Sequence, residues 1–366
     1  MIQEQNHNYA VIMAGGIGER FWPMSRTSRP KQFLDILGTG KSLLTQTYER
    51  FLPVIPKENI FVITNKRYAN DVKTHIPGID PTRIISEPFR KNTAPCVAYA
   101  SWKIHAMDPK ACLIFAPSDH LILQENLFIN TISSALNAAR NNKWLITLGI
   151  MPSRPDTGYG YIQFQENGPW PADTNLKKVK TFTEKPNLEL AESFLKSGDF
   201  LWNSGIFIWS AASIIEAFEA YQPEISFVFR ECESVFNTEK EEDQIVKVFE
   251  SCKSISIDYA IMEHANNVFV IVSDFGWSDL GTWNSLYEVR QHDSQQNAIL
   301  GLNVLHYDSK NCIINMPNDK LVVIQGLDGY IVAESDNALL ICEKSQEGEI
   351  RKFIHDIRTK KGEHLV

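Results

Sequence analysis

The chain has 366 residues, of which 43% are hydrophobic and 22% charged, with a formal net charge of −8. That composition is ordinary for a soluble globular protein, and a negative balance with no basic tail or stripe argues against nucleic acid as a main partner. No apolar run approaches the roughly 18 residues that span a bilayer, and the opening MIQEQNHNYA lacks a secretion-signal pattern, so a cytoplasmic protein without a membrane partner is expected. The six cysteines (Cys96, Cys112, Cys232, Cys252, Cys312, Cys342) are scattered without a C-x-x-C pair, so buried thiols are expected rather than disulfides or zinc ligands.

The first apolar run, Ala10–Ala14, reads as a buried parallel strand. Gly15, Gly16 and Gly18 follow within four positions, a loop whose backbone N–H groups can approach a ligand with no side chains in the way. Arg20, Arg26, Arg29 and Lys31 come next, opposed only by Glu19 and Asp35. A strand, a glycine loop and four cations suit a polyphosphate, because Arg offers bidentate contacts and Lys a movable charge. The bland alternative is a glycine-rich turn with solvated cations. Spacing excludes two better-known loops. No Gly-Lys-Ser/Thr ends a Walker A pattern here, and Phe21 stands where a dinucleotide fingerprint needs its third glycine.

Strand-like runs then alternate with helical patterns. The strands are Ile60–Thr64, Arg83–Ser86, Ala111–Ala116 and Trp144–Ile150, and the helices Ser42–Leu52, Thr93–Met107 and Leu127–Asn141. The alternation predicts an open, mostly parallel α/β sheet with helices on both faces, whose ligands bind at the carboxyl ends of the strands. Glu87–Thr93 leads into a helix that Asn92 or Thr93 can cap. Leu113–His120 is a buried strand ending in Asp119, placed either to hold a divalent cation at the crevice or to make a turn. His120 carries no catalytic role.

Past Ile150 the texture changes to Thr157–Ile162, with glycines beside aromatics, then Leu176–Phe182, Thr183-Glu184-Lys185-Pro186 and Phe200–Phe207. Taken singly, a Glu-Lys pair or an Asn in an apolar run is more often a salt bridge or a turn. Together they offer what a sugar phosphate needs: Lys185 for phosphate, Glu184 and Asn203 for hydroxyls, and Gly160 close to a ring. Ala211–His264 reads as helical, Val268–Val272 as a strand, and Asp279 as a turn residue before Trp283. After about Asn297, short apolar runs (Cys312–Ile314, Leu321–Ile324, Tyr330–Glu334, Ala338–Cys342) alternate with turn signals, which predicts a small β-rich domain closed by a helix or tail over Glu347–Val366.

Gly15-Gly16-x-Gly18-x-Arg20-x-Trp22-Pro23-x-Ser25-Arg26, followed by Pro30-Lys31-Gln32, resembles the signature of the sugar-1-phosphate nucleotidylyltransferases, and its Trp-Pro-x-Ser-Arg part that of the mannose-1-phosphate guanylyltransferases. The likeness runs closely over residues 9–290. It implies a Rossmann-like open mixed sheet as a catalytic domain over 1–292 and a small β-rich domain over 293–366, with a short β-helix as one form open to the latter. The implied substrates are GTP and mannose 1-phosphate and the products GDP-mannose and pyrophosphate, with Mg²⁺ as cofactor and a homodimer allowed.

By the same resemblance Ala14, Gly15, Gly16, Gly18, Glu87, Asn92 and Thr93 border the nucleotide, although Lys91 stands where the family usually has Arg. Arg20, Lys31 and Lys185 are the catalytic cations, and Gly160, Glu184, Lys185 and Asn203 the sugar-phosphate site. Asp119 and Asp279 hold the metal. Two rival readings remain open, a nucleotidylyltransferase for another sugar phosphate or base (GDP-heptose or UDP-sugar type) and a non-catalytic regulatory subunit.

Overall fold

The computed structural model describes residues 7–166 and 175–366; residues 1–6, which open the amino-terminal stretch read above, lie outside them. Packing divides the chain into two units. The first comprises Met1–Gly15, Tyr48–Ser118 and Ile122–Trp277, and the second Gly16–Thr47, Asp119–Leu121 and Ser278–Val366.

The first unit is built on one nine-stranded sheet. In chain order its strands are β1 (Asn8–Met13), β2 (Ile60–Asn65), β3 (Ile84–Glu87), β4 (Cys112–Pro117), β5 (Leu145–Ile150), β6 (Gly160–Gln165), β7 (Leu176–Glu184), β8 (Phe200–Ser210) and β9 (Val268–Ser273). They lie in the order β3-β2-β1-β4-β8-β5-β9-β7-β6. β1 to β4 are parallel neighbours, with Val11 opposite both Phe61 and Phe115. β1 and β4 are apolar at nearly every position and buried on both faces, as central parallel strands must be.

The sheet is mixed, as the resemblance implies and unlike the mostly parallel one read from the alternation alone, because the long β8 enters antiparallel between β4 and β5. An apolar run of this kind looks the same in either direction, so nothing in its side chains announces the reversal. The helix Thr93–Met107, capped by the Asn92 side chain on the Thr93 N–H at 2.9 Å, is buried along most of its length. Its Trp102 joins Phe218, Phe229 and Phe249 in one apolar core with Phe115 and Trp209 from the sheet. The helix Ala69–His75, which buries only Val72, carries too little periodicity to be read from sequence, and the amphipathic helix Leu188–Ser197 is one the sequence reading does not mark. Five of the six cysteines are buried and all six are free thiols, as expected. Among the described residues no helix is long and apolar enough to cross a membrane.

The second unit carries the C-terminal β structure. β10 (Ala298–Leu300), β12 (Ile313–Asn315) and β14 (Tyr330–Ser335) stack in parallel, and β15 (Ala338–Glu343) closes the stack antiparallel. β11 (Val304–Tyr307) and β13 (Val322–Gln325) form a second parallel pair. Ala298, Ile313 and Ile331 fall in register on successive strands, so equivalent positions of a coiling chain pile up as in a β-helix. One side of the coil encloses Cys312, Ile314, Met316, Ile324 and Val332. The other packs on the helix Ile350–Lys360 and on Phe21, Trp22 and Trp283. The expected β domain is therefore present, with β10 and β11 as strands the sequence reading did not mark.

Gly149 sits at the centre of the sheet, where an added Cβ would stand 2.6 Å from both Leu201 and Val270. Gly149→Ala should lower stability by about 1–3 kcal/mol through overpacking, seen as a lower urea midpoint at unchanged m value. Gly348→Ala, which opens onto free space, should stay within about 0.5 kcal/mol.

Candidate active site

Within the second unit, the glycine loop folds back on itself. Gly18 has φ +73°, and an added Cβ there would lie 2.4 Å from the Cβ of Lys31, so only glycine allows this close return. The Lys31 N–H donates to the Ile17 carbonyl at 2.9 Å, and the Ser25 hydroxyl to the Gly18 carbonyl at 2.5 Å. The Lys31 side chain is buried, with its ammonium 2.8 Å from the Asp119 carboxylate and 2.8 Å from the Asp279 carbonyl, above the Phe21 ring. It thereby brings together the two aspartates read as metal ligands. Burial alone would push the Asp119 carboxyl up, but the charges of Lys31 and His120 outweigh that and hold it below its ordinary value. Asp279 turns one carboxylate oxygen onto the Gly281 N–H at 2.8 Å, while Thr282, not Asp279, caps the helix Trp283–Val289.

The four cations of this segment separate into different roles. Arg26 donates to the Pro23 carbonyl, the Asn337 side chain and the Ser335 carbonyl, and Arg29 to Ser335 and Asp336. Lys31 is held as described. Arg20, half-buried, makes no hydrogen bond or ion pair with any described residue. Of the four it is the one ready for an anion.

In the first unit, Ala14 continues β1 by donating its N–H to Ile63, and its carbonyl accepts from the Thr64 hydroxyl at 2.7 Å. The pinned residue leads into Gly15, beside which the Glu87 carboxylate lies at 3.4 Å from where a Cβ would be. Glu87 ends β3, parallel to β1 and β2, so it reaches the same edge of the sheet as the loop's first glycine. Burial pushes its carboxyl up to about 7, against the opposing pull of the Cys96 thiol and the Arg90 charge. The Asn92 side chain is engaged as the helix cap. The Thr93 hydroxyl accepts the Ile257 N–H at 2.8 Å, fastening the Ile255–Ile257 segment.

A second group in the first unit gathers where β6, β7 and β8 meet. Gly160 pairs with Glu184 across β6 and β7, and a Cβ on Gly160 would come within 2.5 Å of the Glu184 carboxylate. The Lys185 ammonium pairs with that carboxylate while most of its side chain stays exposed. Asn203, opposite Gly149, accepts from the Thr147 hydroxyl at 3.0 Å and the Gly205 N–H at 3.2 Å, and donates to Asp258 at 2.9 Å. The four residues read as a sugar-phosphate site are thus neighbours, and Asp258 is a fifth member that sequence reasoning missed. It opens a π-turn, Asp258–Met262, within Ser256–Glu263, a stretch that looks like the family's segment packed behind the site but gives the acid no role of its own. Burial, then the charge of Glu184, pushes its carboxyl up to about 7, against Lys185 and Asn203.

The donor set around Lys31 fits a hard divalent cation. The Asp119 carboxylate and the Asp279 backbone carbonyl converge on one positive charge, and Mg²⁺ is commonly held by one or two carboxylates plus substrate phosphates. Among the described residues no three His, Cys, Asp or Glu side chains cluster to bind a metal by themselves. A strand-borne glycine loop with an uncommitted arginine and two aspartates on a lysine is the equipment of a nucleotidyl transferase.

The comparisons with known proteins agree. The nucleotidyl transferase family model matches residues 9–296, and the mannose-phosphate isomerase/GMP-like β-helix model matches 302–357. A mannose-1-phosphate guanylyltransferase of Salmonella montevideo is 35% identical over 366 residues, covering 97% of this chain and 75% of that protein. The enzyme of that name in Escherichia coli K12 is 33% identical over 371 residues, covering 99% and 76%. A crystal structure from Thermus thermophilus, named mannose-1-phosphate geranyltransferase, superposes with a TM-score of 0.84 at 30% identity over 96% of this chain and 99% of that one. The chain belongs to the nucleotidyl transferase family, among the mannose-1-phosphate guanylyltransferases. Enzymes of this family generally use a divalent metal ion.

Two carboxyls near pH 7 make stability pH-dependent. Asp258 and Glu87 hold their protons more tightly folded than unfolded, so what they add to stability is complete below about pH 4 and is lost as pH rises through about 7. The loss should be on the order of a few kcal/mol between about pH 4 and 8. Asp258→Asn keeps an acceptor for Asn203 and should flatten part of this slope, measured as urea midpoints across that range. Parallel curves for the two proteins would show that Asp258 is ionised throughout.

Proposed function

We propose that this chain transfers GMP from GTP to α-D-mannose 1-phosphate, giving GDP-mannose and pyrophosphate. The observation that carries the reading is Arg20, the one cation of the glycine-loop segment with no partner among the described residues. The names of its relatives supply the substrates. In the reaction a phosphate oxygen of mannose 1-phosphate attacks the α-phosphorus of GTP. The new P–O bond forms as the bond to the bridging oxygen breaks, and pyrophosphate leaves with the electron pair. The nucleophile is already an anion, so no general base is needed. The task is to bring two anions together and to stabilise charge on the leaving group.

The residues divide that task. The amides of Gly15, Gly16 and Gly18, with Arg20, meet the triphosphate, and Lys31 adds its charge while its ammonium stays on Asp119 and the Asp279 carbonyl. Ala14, Glu87, Asn92 and Thr93 border the nucleoside. Lys185 meets the incoming phosphate, and Gly160, Glu184 and Asn203 read the hexose. Asp119 and Asp279 would hold Mg²⁺, which when bound neutralises phosphate charge. The catalytic domain is taken to run over 1–292 and the β-rich domain over 293–366.

The test is pyrophosphate release with GTP and mannose 1-phosphate against a panel of nucleotides and sugar phosphates. Arg20→Ala should lower kcat by about 10²–10³, or 2–4 kcal/mol of transition-state stabilisation, with an unchanged unfolding midpoint. Near-normal turnover in the folded variant would remove Arg20 from the chemistry. A site built to pair guanine's N1–H and 2-amino donors leaves buried acceptors unpaired with another base, so kcat/KM should favour GTP over ATP and UTP by at least about a hundredfold. Equal use of UTP would leave a nucleotidylyltransferase of another specificity, and binding without turnover would leave a regulatory subunit.

A further inference from the structure

The second unit contains a set of contacts that the chemistry above does not use. Arg26 is 6% exposed, and each of its guanidinium nitrogens has an acceptor: Nε the Pro23 carbonyl at 3.3 Å, Nη1 the Asn337 side chain at 3.0 Å, and Nη2 the Ser335 carbonyl at 2.9 Å. Two of the three belong to the turn that joins β14 to β15. Arg29 reaches the same turn through Ser335 Oγ at 2.5 Å and Asp336 at 3.1 Å, and the backbones of Arg26 and Arg29 bond each other in both directions. Two further ties run between the same parts. The Trp22 indole donates to the Leu365 carbonyl at 2.9 Å. Arg290 donates to the Ile36 carbonyl at 2.6 Å and to Asn315, at the end of β12, at 2.8 Å.

We infer that Arg26 is a positioning residue, and that the turn Ser335–Asn337 of the small β structure fixes, through it, where Gly18, Arg20 and Lys31 stand. The inference rests on the nucleotidyl-transfer reading of that loop. The path is continuous. The turn holds Arg26, the adjoining Ser25 hydroxyl holds the Gly18 carbonyl, and the Lys31 N–H returns to Ile17. Arg20 lies on the stretch between these ties, so its guanidinium is aimed by them. A planar fork satisfies two acceptors in different directions at once, and an ammonium on a flexible stem does not. Misplacing a reacting group by about 1 Å can cost about 10²-fold in rate. The β-rich part is therefore a structural member of the active site rather than an appendage to it.

The test uses the full chain with Arg26→Gln, Arg26→Lys, Asn337→Ala and the Gln/Ala double variant. Two readouts are needed, steady-state kinetics with GTP and mannose 1-phosphate, and amide hydrogen exchange of peptides covering residues 16–31. Arg26→Gln should lower kcat about 10–100-fold while KM for mannose 1-phosphate stays put. Exchange in 16–31 should quicken at least about tenfold while β1, β4 and β5 keep their protection. Arg26→Lys should fail to rescue either readout, Asn337→Ala should move both in the same direction by less, and the double variant should be no worse than Arg26→Gln. Full activity of Arg26→Lys would overturn the inference by showing that charge alone matters, as would lost activity with unchanged exchange, which would put Arg26 on the substrate. If the wild-type chain turns over neither substrate, the functional reading fails, and the exchange data still decide whether the turn holds the loop.

Discussion

The ammonium of Lys31, buried between the carboxylate of Asp119 and the carbonyl of Asp279, is the constraint on which the rest of the glycine-loop region depends. A buried cation is tolerated only where oxygens replace its water, so this one lysine dictates that two distant stretches of sequence arrive beside each other. It dictates the loop as well. Its stem lies against Gly18, which must take a left-handed conformation and carry no Cβ, and its head rests over Phe21. Phe21 in turn is packed on Trp283, a few residues beyond Asp279. The glycine, the aromatic and both aspartates answer to the same charge. This is why a change at any of them is felt by the others.

The first unit shows the opposite electrostatics. Glu87, Glu184 and Asp258 are carboxyls drawn into low-exposure settings, and two of them are pushed toward neutral pH by burial. Acceptors of this kind suit hydroxyl and amine donors, whereas the cations and amides of the second unit suit phosphate oxygens. Lys185 is the exception, a largely exposed ammonium on the Glu184 carboxylate. In the proposed reaction it is the group that meets the one phosphate the sugar brings. In that proposal each unit supplies donors or acceptors for a different part of the two substrates.

Much of this was legible in the residues. Ala10–Ala14, Ile60–Thr64 and Ala111–Ala116 read as strands because central strands buried on both faces are unbroken apolar runs, and the structure shifts their bounds by no more than two residues. Turn chemistry marked the C-terminal β structure, since Asn-Asp and Asp-Gly pairs punctuate it. Three things were not legible, each for a physical reason. The antiparallel course of β8 is invisible because hydrophobicity has no direction. Asp258 lies in Ser256–Glu263, a stretch that looks like the family's segment behind the site but singles out no residue of its own, and its importance comes from Asn203 and Glu184, which only the fold brings near. Arg26 and Arg29 read with the phosphate-binding cations because their acceptors lie some 300 positions further along the chain, in the β14–β15 turn, and include a backbone carbonyl that leaves no residue-type trace.

Arg20 and Arg26 stand six positions apart in one signature-like stretch, are the same residue type, and have opposite employments. Hydration separates them. An arginine that keeps part of its surface in water loses little by having no protein partner, because solvent satisfies its donors until an anion displaces it. An arginine driven to near-complete burial has no such reserve and must find a fixed acceptor for every nitrogen, which makes it a tie between chain segments. Arg26 finds three; Arg20, half-buried, has none among the described residues. Burial therefore sorts ligand-facing from framework cations within one motif, and the sorting is set by the β14–β15 turn. A substitution in that turn, far from any phosphate contact in sequence, would return Arg26 to water and release the stretch that carries Arg20.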